Sequence, residues 1–135
     1  MIRDGYEPAT FRKVNDSGQV FSFLQKYYAG HDREEMTALM LDAKNGIIGF
    51  HTIAIGSLTL AIIHPRETFK AAILLNASAV LLAHNHPSGD PTPSQEYREL
   101  TRRLVEAGKL LGIQVMDHLV IGHDRYISFG DQGWL

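Results

Sequence analysis

Cysteine is absent from all 135 residues. That excludes disulfides, thiolate zinc sites and a cysteine nucleophile, and it fits a reducing compartment. Long apolar runs are missing as well. No stretch nears the ~20 residues needed to span a bilayer, because His, Lys and Arg interrupt every candidate. Met1-Ile2-Arg3-Asp4-Gly5 lacks the apolar core of a signal peptide. Charge of one sign is also lacking: thirteen basic and fifteen acidic residues leave a net charge of −2. That balance gives no general electrostatic reason to bind nucleic acid or an anionic membrane. The expectation is a cytoplasmic domain with no membrane partner and no autonomous nucleic-acid binding. The length fits one domain and buries roughly two thirds of its unfolded surface.

What is present alternates strands and helices without repeats, low-complexity segments or linkers. Val20, Phe21, Phe23, Leu24 and Tyr27 recur at helical spacing from Ser17 to Tyr28, with Asp16 or Ser17 as cap and Gly30 past the end. Glu34 to Asp42 reads as a buried strand, Lys44-Asn45-Gly46 as a hairpin turn, and Ile47 to Ile55 as the returning strand. Pro65 opens a second helix reaching about Asn76, His64 ordering its start. The small apolar run Ala79 to Ala83 is a central strand buried on both faces. A long helix follows from about Pro93 to Leu111, with Thr92 as its cap, Gln95 closing a capping box and Gly112 ending it. Its buried stripe is Tyr97, Leu100, Leu104, Ala107 and Leu111. Ile113 to Ile121 and Arg125 to Phe129 form a last hairpin. These elements predict an α/β sandwich around a mixed sheet.

The chemistry concentrates in His84-Asn85-His86-Pro87-Ser88-Gly89-Asp90-Pro91-Thr92-Pro93-Ser94-Gln95-Glu96-Tyr97. Residues two apart in an extended chain point the same way, so His84 and His86 can converge on one metal ion. The rigid loop and the helix after it return the chain to the same place. A hydrolytic zinc also needs a base. Glu34 and Glu35 open a buried strand, so one of the two should point inward. His118 is expected to pair with Asp117, and His31, His51 and His123 to lie at the surface.

The motif resembles the RadC-like branch of the JAB/MPN metalloproteases, whose JAMM signature is a glutamate, then His-x-His, seven residues, Ser, two residues and Asp. His64-Pro65-Arg66-Glu67 and Asp117-His118-Leu119-Val120-Ile121-Gly122 look like flanking segments of that family. The similarity runs from about Asn15 to the end. It implies a JAB/MPN-like (cytidine-deaminase-like) sandwich, with residues 1–135 as one such domain and 1–14 as an N-terminal extension. It also implies zinc as cofactor, His84 and His86 as ligands, Ser94 as a hydrogen-bond donor at the reacting centre, and Glu34 as base, with Glu35 as fallback. The third ligand falls on Tyr97, where the family has Asp. Tyr97 ligates, or water, Asp90 or Glu96 substitutes, or the site holds zinc weakly and is inactive.

The implied activity is zinc-dependent hydrolysis of an amide or isopeptide bond in a protein or peptide. The competing readings are a non-catalytic JAB-like interaction domain and a DNA-repair accessory protein, the latter from the family's name. Longer members carry a helix-hairpin-helix region, for which this chain lacks room. Any DNA binding through Arg98, Arg102, Arg103 and Lys109 is expected to be weak and non-specific. A homodimer is compatible with the sequence.

Overall fold

The strict alternation of β1 (Glu35–Leu41) decides the architecture. Leu39 and Leu41 enter one apolar cluster, while Met36, Ala38 and Met40 enter another on the opposite face. β3 (Ala79–Asn85) repeats the pattern, with Ala79, Leu81 and Ala83 on the first face and Val80 and Leu82 on the second. Both strands are buried from end to end, as expected for strands covered on both sides. The computed structural model describes residues 13–56, 58 and 62–135.

Five strands form one mixed sheet in the order β2-β1-β3-β4-β5, with β2 spanning Ile47–Ile55, β4 Gln114–Ile121 and β5 Tyr126–Ser128. β3 and β4 run parallel and the other neighbours antiparallel. Helix α1 (Ser17–Tyr28) covers the first face through Val20, Phe23, Leu24 and Tyr28. α2 (Pro65–Leu74) and α3 (Gln95–Leu111) cover the second, through Phe69, Ala72, Leu100 and Leu104. A short α4 (Phe129–Gln132) closes the chain's last turn. This is the mixed sheet flanked by helices that the sequence predicts, and it is consistent with a JAB/MPN-like fold.

Local chemistry explains most boundaries. Asp16 caps α1 by accepting from the Gln19 amide at 2.8 Å. Asn45 takes the left-handed conformation in the first hairpin (φ 65°), and Asp42 accepts from the amides of Lys44 and Gly46. His64 caps α2, its Nδ1 accepting from Arg66 N, in keeping with the expected role. The start of α3 departs from expectation: its cap is Ser94, not Thr92. The Thr92 amide and hydroxyl are both held by Asp90 Oδ1, at 3.0 and 2.8 Å, which leaves Ser94 to accept from Tyr97 N. The stripe on α3 also ends early, because Leu111 is exposed and Thr101 and Gly108 are buried. Of the expected extension, residues 1–12 lie outside the described residues. Val14 packs into the first core cluster and Lys13 bridges to Gly46.

Candidate metal centre

Alternation carries past the core into the chemistry. Leu82 faces α3, so His84 does too, and His86, two residues on, turns to the same side. β1 pairs antiparallel with β3, Met36 opposite His84 and on the same face. Glu34, two residues before Met36, therefore arrives beside His86, with Oε2 3.5 Å from Nε2. Ligand atoms of Glu34, His84 and His86 all lie within 4.8 Å of one another. Glu35 faces the other way, into a cluster where it accepts from Tyr27 and Thr52 and meets His31. Register thus separates the two glutamates: Glu34 lies with the histidines and Glu35 does not.

Asn85, between the two histidines, points to the opposite face and was not singled out by the sequence. Its Oδ1 accepts from Glu35 N at 2.7 Å and its Nδ2 donates to Arg33 O at 3.1 Å. One buried side chain so pins the backbone on both sides of Glu34. Alternation from His84 and His86 is the signal that placed it there.

The imidazoles are oriented by their far nitrogens. His86 Nδ1 lies 2.8 Å from Asp90 O. A carbonyl only accepts, so Nδ1 carries the hydrogen, and in the neutral ring this leaves Nε2 with a lone pair directed at the site. His84 Nε2 stands 3.1 Å from that lone pair. Its own Nδ1 lies 2.8 Å from His118 Nε2, and His118 Nδ1 lies 2.6 Å from Thr101 Oγ1. The expected hydrogen bond between Asp117 and His118 forms through the His118 backbone amide, which donates to Asp117 Oδ1 at 2.7 Å, and not through the ring. Neighbours in a strand face opposite ways, and Asp117 also accepts from Ser128 Oγ and Gly130 N. Phe129 stacks on His118 at 4.6 Å. Burial pushes the His84 pKa well below 6.5 and that of His118 down to about 3, with nearby histidines adding to both shifts. Both rings are therefore neutral, the form that binds metal.

Tyr97 projects from the first turn of α3 and lies over both imidazoles, with centroids 4.6 Å from His84 and 6.0 Å from His86. Its hydroxyl donates to Glu34 Oε1 at 2.8 Å. Burial, then that bond to Glu34, raises its pKa further above the ordinary phenol value. Tyr97 is thus a neutral donor to Glu34. Ser94 is exposed at the helix start, Asp90 is held by Thr92, and Glu96 is exposed. Neither Asp90 nor Glu96 belongs to the close group of ligand atoms. Of the remaining histidines, His123 is exposed, as expected, and sits with Nε2 3.0 Å from Pro87 O. His31 and His51 are partly buried.

Two imidazoles and one carboxylate fit zinc chemically. Two bonds of 2.0–2.1 Å at a tetrahedral angle hold their nitrogens roughly 3.3 Å apart, close to the 3.1 Å between His84 Nε2 and His86 Nε2. Beside His86, a cavity of about 240 Å³ opens between the end of α1 and the carboxyl ends of β3 and β4. Tyr28, His31, Asn85, Ile121 and His123 line it. Crevices at the carboxyl ends of parallel strands are the usual ligand sites of open α/β sheets.

Comparison with known proteins shows the family. Residues 14–134 match the RadC-like JAB domain family. A UPF0758 protein of Methanococcoides burtonii is 48% identical over 124 residues, covering 92% of this chain and 54% of its own length. One from Symbiobacterium thermophilum is 53% identical over 116 residues, covering 86% and 50% respectively. One from Desulfitobacterium hafniense is 51% identical over 129 residues, covering 96% and 57%. The chain thus spans about half the length of the curated relatives it matches.

Proposed function

Since this chain belongs to the RadC-like JAB domain family, we propose that it is a zinc-dependent hydrolase of amide or isopeptide bonds in a protein or peptide. The observation that carries this reading is a carboxylate beside two converging imidazoles, all within 4.8 Å. His84 and His86 hold the metal. When bound, zinc supplies Lewis acidity, polarising a carbonyl and lowering the pKa of water. Glu34 takes the proton from the attacking water and returns it to the leaving amine. Tyr97, donating to Oε1, fixes the carboxylate so that Oε2 stays on the histidine side. Ser94 accepts the Tyr97 amide and keeps its own O–H as a donor for the developing oxyanion. The cavity beside His86 receives the substrate chain next to the scissile bond.

The Tyr97–Glu34 bond favours a second reading. With no aspartate at position 97, Glu34 itself becomes the third ligand, and the domain binds zinc without turnover. Glu34→Gln separates the two. If Glu34 is the base, the variant keeps its zinc affinity and loses hydrolysis of a peptide or isopeptide library by ~10²-fold or more. If Glu34 is a ligand, zinc affinity itself collapses. Purified protein that takes up no zinc, in a form abolished by His84→Ala, sinks both readings.

A further inference from the structure

Behind His84 runs a chain of buried groups that the proposed hydrolysis does not use: His84 Nδ1, His118 Nε2 and Nδ1, and Thr101 Oγ1, linked at 2.8 and 2.6 Å. His84, His118 and Thr101 are each 0% exposed. The only freedom left in such a chain is its direction. Thr101 Oγ1 lies 2.6 Å from His118 Nδ1 and 2.9 Å from Tyr97 O, and its single hydrogen can serve one of them. Both arrangements are complete in different circumstances.

In the first, Thr101 donates to His118 Nδ1, His118 Nε2–H donates to His84 Nδ1, and His84 Nε2–H donates to the lone pair of His86. Every donor is satisfied and the two site nitrogens are joined by a hydrogen bond. In the second, Thr101 turns to Tyr97 O, the back-bond common for threonine in helices. His118 Nδ1–H then donates to Thr101, and His84 Nδ1–H donates to His118 Nε2. Two bare nitrogens now face each other at 3.1 Å, which is repulsive unless a cation lies between them.

We propose that His118 and Thr101 are positioning residues that set which nitrogen of His84 carries hydrogen, and that metal binding reverses the chain from the first arrangement to the second. The protons balance. One leaves His84 Nε2 to water, the His118 Nε2 proton passes to His84 Nδ1, the Thr101 proton passes to His118 Nδ1, and water returns one to Thr101 Oγ1. Three protons occupy the chain before and after, so its own charge does not change. The Thr101 end is buried, so equilibration follows the local openings that admit water. The register irregularity between Val80 and Leu81 is what makes the chain: it brings His118 opposite Leu82, on the face that carries His84. Partners of this kind on metal-binding histidines tune affinity by about 10–100-fold.

The inference rests on His84 being a metal ligand, and the test separates the two ideas. Zinc is titrated into full-length protein carrying ¹⁵N-labelled histidine, and long-range ¹H–¹⁵N correlation reads each tautomer. His118, which touches no metal, should carry hydrogen on Nε2 without zinc and on Nδ1 with it. Thr101→Val, isosteric but unable to accept, should weaken zinc binding about tenfold or more, and Thr101→Ser should restore it. Zinc that binds while His118 keeps one tautomer throughout, or that binds the valine variant as tightly as the parent, overturns the relay and leaves the metal reading standing. Failure of zinc to bind at all overturns both.

Discussion

Tyr97 decides more than any other residue what this site can do. By the resemblance it stands where the family's aspartate is expected, and its hydroxyl donates to Glu34 Oε1 at 2.8 Å while its ring covers both imidazoles. Its pKa, raised by burial and then by the Glu34 bond, keeps the phenol protonated near neutral pH. Tyr97→Asp replaces a neutral donor with a short anion and releases Glu34. Zinc affinity should rise by about tenfold or more, within the range that changes at a metal's partners produce. The gain should also appear as zinc-dependent thermal stability, because metal bound only by the folded state stabilises it by mass action. Isothermal titration of zinc into both proteins reads the difference. Equal or weaker affinity in the variant would mean that position 97 does not reach the metal.

At the scale of elements, what the sequence made legible is what local chemistry controls. Lys44-Asn45-Gly46 and the boundaries of β2 follow from turn preference alone, since Asn45 adopts the left-handed conformation the turn needs. α3 was displaced by two residues at its start because Thr92 and Ser94 are equally good caps in isolation, and only Asp90 holding Thr92 leaves the role to Ser94. Alternation alone does not say which of Glu34 and Glu35 faces the histidines, and the resemblance alone favours Glu34, because register is a property of two strands and not of one. His118 was assigned to Asp117 by adjacency, although alternation sends neighbours to opposite faces, and its ring's partner His84 lies on another strand. The contact between α3 and the chain that follows it gives a test at this scale. A Cβ at Gly108 would sit 2.3 Å from Ile113 O and 3.3 Å from the Phe69 ring. Helix propensity favours alanine by about 1 kcal/mol, but the backbone clash should outweigh it. Gly108→Ala should lower stability by about 1–3 kcal/mol, a fall of several degrees in Tm. An unchanged or higher Tm would mean that the return into β4 yields freely.

For the molecule as a whole, the buried imidazoles couple folding to pH. In metal-free protein His84 and His118 have pKa values pushed below the 6.5 of an exposed histidine, first by burial and then by neighbouring histidines. Above 6.5 both the folded and unfolded chains leave them neutral, so they contribute no pH dependence there. As pH falls through 6.5 the unfolded chain binds protons that the folded chain refuses, and stability drops. For His118 the loss continues down to its folded pKa of about 3. Each such histidine costs roughly a tenfold loss in the folding constant per pH unit inside this window. Exposed Asp42 and Asp90, whose pKa values are lowered by hydrogen bonds from backbone amides, add their own loss only below about 4. The onsets of the two losses are therefore separable. Urea unfolding with chelator present should show a flat plateau from about pH 7 to about pH 9 and a decline that begins near 6.5, well before the carboxylates titrate. Stability that stays level from pH 7 to pH 5 would mean that the core admits a charged imidazole, which two rings with no exposed surface and, among the described residues, no carboxylate hydrogen-bonded to either ring should not allow.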